Sequence, residues 1–292
     1  MKNRNFLHWI IFIALALTWG SSFILMKRGM DTFSSDQVAA LRIFTAFLFL
    51  SPLAFRHIKK NLFKLIPAFA GMGVFGNLLP AFLFTKAETM ISSALTGILN
   101  SLTPIFTLLL GLVIFKQKTR WTQVVGLAIG LSGAVGLVSL GRDGVNHGNV
   151  FVGSGFVLLA TLFYGLSVNI IKAKLSGIPA VTATVFAMCI IGPIAGIYLF
   201  STDFISRLQT HPHAWESLGY VSILAIFGTS LSVIVFNILI KEAGTIFASS
   251  VTYLIPVVAM CWGAADGEAI TLIHVLFIAV ILGGVMLVNK KW

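Results

Sequence analysis

The sequence predicts an all-α integral membrane protein: ten transmembrane helices built as two five-helix repeats of inverted topology. Three observations carry this expectation. Only 10% of the 292 residues are charged and 58% are hydrophobic, with a mean hydropathy of +0.98. That leaves too little polar surface to clothe a water-soluble domain of this length. Apolar runs of about 20 residues recur along the chain, each long enough as a helix to cross roughly 30 Å of hydrocarbon. The third observation is that the first half of the chain is written again in the second.

Helices are preferred to a β-barrel because runs such as "FTLLLGLVIF" and "VGLAIGLSGAVGLV" do not alternate apolar with polar. Within lipid, a helix satisfies every backbone group inside one segment. Spans are expected at 7–26, 37–55, 65–85, 91–115, 121–140, 150–171, 180–200, 217–240, 244–264 and 270–289. The first, preceded by Lys2 and Arg4, resembles a signal peptide in outline, but its copy at 150–171 cannot be one, so a retained helix is expected. Cys189 and Cys261 fall inside spans and are expected to be small buried hydrophobes. The fifth and tenth spans carry small-residue stripes, Gly126, Gly130 and Gly133 in one and Ala279 and Gly283 in the other, and read as scaffold.

The net charge of +11 comes from basic clusters between spans, where stop-transfer and headgroup contact explain it without nucleic acid. Fourteen of the twenty Lys and Arg residues lie at the termini and even-numbered loops, five lie on the other side, and Arg42 lies inside a span. This bias predicts a multi-pass protein of the plasma or inner membrane with both termini in the cytoplasm.

The repeat runs in register over long stretches. Trp19-Gly20 lines up with Tyr164-Gly165, Ser22 with Ser167 and Lys27 with Lys172, at an offset of 145. At an offset of 152, Phe75-Gly76 matches Phe227-Gly228, Phe84 matches Phe236, Leu102 matches Leu254 and Pro104 matches Pro256. The repeats are expected at 1–141 and 149–292. Five spans is an odd number, so the second copy enters the membrane from the opposite side. Secondary transporters build alternating access from this symmetry.

The segments "WGSSFILMK", "ALR", "SLTPIFTLLLG", "YLIPVVAM" and "LGGVMLV" resemble the EamA-like branch of the drug/metabolite transporter superfamily, in both copies and over nearly the whole chain. The resemblance implies a secondary transporter that exports amino acids or similar small metabolites. Gly267-Glu268 fits the family's Gly-Glu after the ninth span, whereas the first copy has Phe115-Lys116, and Arg42 faces "TVFAMC" in the second copy. No role is therefore carried over to these positions.

Proline inside a helix removes a donor and pushes away the carbonyl four residues earlier. Helix kinks are expected at Pro104 and Pro256, freeing the carbonyls of Asn100 and Thr252. Thr96, Asn100, Thr103 and Thr107 would share one helix face. Asn77 aligns with Thr229, and Ser22 with Ser167. The expected substrate-binding set is Trp19, Ser22, Asn77, Thr96, Asn100, Thr103, Tyr164, Ser167, Thr229, Thr252 and Tyr253. Against it stands the ordinary role of such groups in membrane helices, a hydrogen bond to a neighbour. Trp19, Tyr164 and Tyr253 fit packing or gating as well.

All nine acidic residues fall in loops or at span ends, so the passage is expected to be uncharged and to suit neutral or zwitterionic solutes. No P-loop is present, and no cofactor or metal is expected; "HPH" at residues 211–213 is too weak a pattern for one. Arg42 is expected to snorkel to the interface, with a counter-charge for an anionic group as its functional alternative. His274 is expected at an interface. The partners are a small-molecule substrate and the lipid bilayer, with oligomeric state left open. A lipid-modifying enzyme is the competing reading, but no acid/base pair, metal cluster or activated nucleophile is visible; a sensor would bind ligand without flux.

Overall fold

A computed structural model describes residues 2–57, 60–116, 120–140, 147–243, 251 and 254–289. Among the described residues the regular structure is helical throughout. Eight helices are long and apolar enough to cross a membrane: Leu7–Gly29, Ser35–Arg56, Leu62–Glu88, Ser93–Val113, Trp121–Ser139, Asn149–Lys174, Ala180–Ser201 and Ala214–Phe236. Two shorter apolar helices, Ile255–Ala265 and Leu272–Leu287, follow where the ninth and tenth spans are expected. Large apolar side chains lie outside as well as inside: Phe55, Ile197 and Leu272 are among the most exposed. Lipid, unlike water, imposes no cost on them.

The spans that bend do so for local reasons. Within Leu62–Glu88 the helix widens into a π turn at Val74–Leu78 just before Pro80, the ring that would otherwise strike the carbonyl of Gly76. A second π segment, Leu224–Leu231, interrupts the eighth span without proline. There the hydroxyls of Ser230 and Ser232 donate to the carbonyls of Ala225 and Phe227, five residues back, at 3.1 and 2.6 Å.

The kinks expected at Pro104 and Pro256 are corrected to helix starts. The fourth span breaks after Ser93–Asn100, turns through Ser101 and Leu102, and restarts as Thr103–Val113 with Pro104 in its first turn. Pro256 likewise lies in the first turn of Ile255–Ala265. A helix N-terminus needs no donor from those positions, so proline is tolerated there.

Glycines set the close crossings. A methyl on Gly284 would collide with the backbone of Gly130, and one on Gly133 would meet Ile281, so the fifth and tenth helices touch nearly backbone to backbone. Gly283 faces open space, so its neighbour makes this approach. A methyl on Gly76 would strike Ser167, and one on Gly228 would meet Ser22. Gly20 presses on Ile255 and Val258, while Gly165 presses on the backbone of Phe106 and Thr107.

The expectation for the cysteines is corrected. Both cysteines are free, but Cys261 is exposed and Cys189 only partly covered; an apolar segment facing lipid has no need to bury them. His274 is 1% exposed, because its Nδ1 accepts from the Thr271 amide at 3.2 Å and closes the start of the last helix.

Candidate functional site

At the end of the bundle where the first span finishes, three segments far apart in sequence are tied together. The turn Asp266-Gly267-Glu268 follows the Ile255–Ala265 helix, and Gly267 supplies the positive φ of 83° that the turn requires. Glu268 Oε1 accepts from the Ser93 amide at 3.0 Å, the Ser93 hydroxyl at 2.6 Å and Lys27 Nζ at 3.0 Å. Its Oε2 accepts from the Ala94 amide at 3.0 Å. Residues 93 and 94 open a helix whose first amides have no partner of their own, and a carboxylate suits that positive end. Lys27 also meets Asp266 Oδ2 at 2.5 Å, and Arg28 pairs with Asp266. The Asp266 and Glu268 side chains are only 9% exposed, whereas Lys27 and Arg28 are 37% and 46% exposed, so the latch has a buried acidic side and a basic side open to its surroundings. Burial opposes ionisation of Glu268, but the hydrogen bonds from Ser93, Ala94 and Lys27 prevail and hold its carboxyl below the usual carboxylate range.

Beneath the latch lie charges that the sequence placed at span edges. Arg42, seven residues into the Ser35–His57 helix, turns inward. Its Nε donates to Thr229 Oγ1 at 2.9 Å, and one Nη leans on Met26 Sδ at 3.8 Å. Snorkelling is thereby corrected: the guanidinium points inward and is held by Thr229, on the eighth span. Glu88 is the last residue of the Leu79–Glu88 helix, yet both its carboxylate oxygens are buried and accept no hydrogen bond. The carboxylate feels the charges of Glu268, Lys27 and Arg42, and Arg42 in turn lies within electrostatic reach of Tyr164. A position at a span end thus does not keep a side chain out of the interior. One turn back, Phe84 packs on Tyr164 and Phe23, with ring centroids 5.7 and 6.0 Å apart. Arg42 and Tyr164 are both half-buried.

The residues singled out from sequence separate into groups. Trp19 donates Nε1 to the Gly228 carbonyl at 3.0 Å and packs edge-on against Phe236, joining the first span to the eighth. Ser22 donates to Thr18 of its own helix at 3.1 Å, and Ser167 to the Met72 carbonyl at 3.3 Å. Asn77 is half-buried within the π turn. Thr96 is fully buried, its hydroxyl on the Ser92 carbonyl at 2.9 Å. The break at Ser101 and Leu102 takes Thr96 and Thr103 off a shared helix face, and the Thr103 hydroxyl takes the freed Asn100 carbonyl at 2.8 Å. Tyr164 and Thr229 stand by Arg42, as described. Thr252 and Tyr253 lie outside the described residues.

Arg42, Glu88 and Glu268 were absent from the set chosen from sequence. For Glu88 a signal existed: it follows Phe84 by one helical turn, so both share a face, and Phe84 recurs across the repeat. A cleft of about 250 Å³ between the first and eighth spans, lined by Leu17, Thr18, Ser21, Leu25, Ile223, Phe227 and Gly228, holds no charged group.

Comparison with known proteins places the chain in context. The sequence model of the EamA-like transporter family matches it twice, over residues 7–139 and again over 151–290. An uncharacterized inner membrane transporter of Escherichia coli K12, YedA, is 27% identical over 94% of this chain and 88% of its own. An uncharacterized transporter of Archaeoglobus fulgidus is 25% identical over 97% of this chain and 99% of its own. A probable terminal-alkyne amino-acid exporter of Streptantibioticus cattleyicolor is 22% identical over 96% and 92%. One crystal structure shares the fold with a TM-score of 0.62 at 15% identity, covering 95% of this chain and 94% of that one.

Proposed function

This chain belongs to the EamA-like transporter family, and on that premise we propose that it is a secondary transporter exporting amino acids or similar small metabolites across the inner membrane by alternating access. The observation that carries the reading is the doubled family match together with crossings that recur in both halves. Ser22 sits on Gly228 and Ser167 on Gly76; Gly20 presses on Ile255 and Val258, and Gly165 on Phe106 and Thr107. Each pair joins one half to the other at positions related by the 145- or 152-residue offset. The two π turns, at 74–78 and 224–231, fall at matching positions as well. These pairings support ten spans in two inverted repeats, 1–141 and 149–292, with both termini cytoplasmic.

In this reading the latch of Lys27, Arg28, Asp266 and Glu268 closes the outer end. Rocking one repeat against the other breaks it and exposes the interior to the outside. The polar set near the axis, Trp19, Ser22, Asn77, Asn100, Thr103, Tyr164, Ser167 and Thr229, lines the passage, and Thr96 braces it. One relative's name, a probable terminal-alkyne amino-acid exporter, supports the substrate class.

Counterflow of radiolabelled amino acids in proteoliposomes tests the proposal. Saturable exchange of at least one is expected; none, from monodisperse protein, would overturn it.

A further inference from the structure

Glu88 and Arg42 stand on neighbouring spans, within electrostatic reach of each other, yet no ion pair joins them. Arg42 is turned toward Thr229, and among the described residues only its Nε makes a strong hydrogen bond, so most of its five donors have no strong partner there. Glu88 has no donor among the described residues. An ionised carboxylate inside a membrane protein is costly unless a cationic group meets it. The Glu88 oxygens are closed off in this state, and keeping opposite charges apart inside the bundle is unfavourable for the empty protein. It is favourable once a ligand bearing both charges bridges them.

Resting on the transporter reading above, we propose that Glu88 and Arg42 bind the two ends of a small zwitterion. The solute's ammonium group sits on the Glu88 carboxylate. Its carboxylate sits on the guanidinium edge of Arg42, whose planar fork suits two parallel hydrogen bonds. Phe84, Tyr164 and Phe23 offer an apolar wall to its side chain. Such a site discriminates strongly, because an analogue lacking either charge leaves a buried protein group unpaired. Lys27 and Glu268, the other charges near Glu88, are engaged in the latch, Lys27 with two carboxylates and Glu268 with four donors.

The test is counterflow of radiolabelled phenylalanine in proteoliposomes, competed by N-acetylphenylalanine, which lacks the ammonium, and by phenethylamine, which lacks the carboxylate. Wild-type protein is expected to prefer phenylalanine over each analogue by roughly 10- to 100-fold, the value of one hydrogen bond to a charged group. Glu88→Gln loses the preference against the acylated analogue alone, and Arg42→Gln the preference against the amine alone. Glu88→Asp, which keeps the charge, retains discrimination and controls for folding. Phenylalanine flux without discrimination, or a Gln variant that keeps it, would overturn the proposal and leave the transporter reading intact. Flux driven by an imposed pH gradient in wild type but not in Glu88→Gln, with discrimination unchanged, would assign Glu88 to a proton and overturn it too. No flux of any amino acid would remove the transporter reading, and this proposal with it.

Discussion

Glu268 and Glu88 feel each other's charge, yet their surroundings are opposite. Glu268 accepts four hydrogen bonds, from two amides, a hydroxyl and an ammonium group. Glu88 accepts none. A saturated carboxylate joins pieces of a structure: here a loop, a helix start and the end of the first span. An unsaturated one costs stability, and a protein retains it where something else is to bind. The same residue type therefore serves as fastening in one place and as receptor a short distance away.

Replacing Glu268 sharpens that contrast most. Glu268→Ala strands two helix-start amides and removes one of the two carboxylates on Lys27, and is expected to cost about 2–3 kcal/mol, read as a lower thermal unfolding midpoint in detergent. The pH dependence follows from the same contacts. Because the folded-state carboxyl titrates below its ordinary value, its stabilisation is present above that value and is lost as pH falls through the lowered one. Wild-type protein should lose stability on acidification in that range, and Glu268→Gln should lack this component. A Glu268→Gln melting curve with the same acid dependence as wild type would break the comparison.

Next in size is a packing change. Gly165→Ala drives a methyl into the backbone of Phe106 and Thr107 and should cost about 1–3 kcal/mol, again as a drop in midpoint. Glu88→Gln should act in the opposite sense and raise the midpoint by about 1 kcal/mol, because an amide loses less on burial than a carboxyl group without a partner. Loss of stability in that variant would mean that Glu88 is fastened after all. The smallest effect belongs to Thr107→Ala. Its hydroxyl binds the Thr103 carbonyl of its own helix at 2.8 Å, so flux and midpoint should move by no more than about 0.6 kcal/mol equivalent.

Much of the architecture was legible in the sequence because lipid enforces it. Length and hydropathy locate spans, and the positions of Pro104 and Pro256 mark where two of them are interrupted. Whether proline kinks a helix or starts a new one was not legible, since that depends on the Thr103 hydroxyl reaching the Asn100 carbonyl. The site was legible only in part. Tyr164 and Thr229 could be chosen because they recur as polar or aromatic pairs across the repeat. Glu88 and Arg42 have no matching charges in the other half, and their distance from a span end says nothing of the direction their long side chains take. Glu268 acts through Ser93 and Ala94, some 175 residues earlier, a closure that only the folded bundle brings about.

The central claim is that the bundle must open at the latch for solute to pass. With Cys189 and Cys261 replaced by serine, Arg28→Cys and Asp266→Cys can be bridged by a short reducible bis-thiol linker while Glu268 keeps its cap. Amino-acid counterflow in proteoliposomes should then stop on bridging and return on reduction. Undiminished flux through the bridged protein would contradict the account.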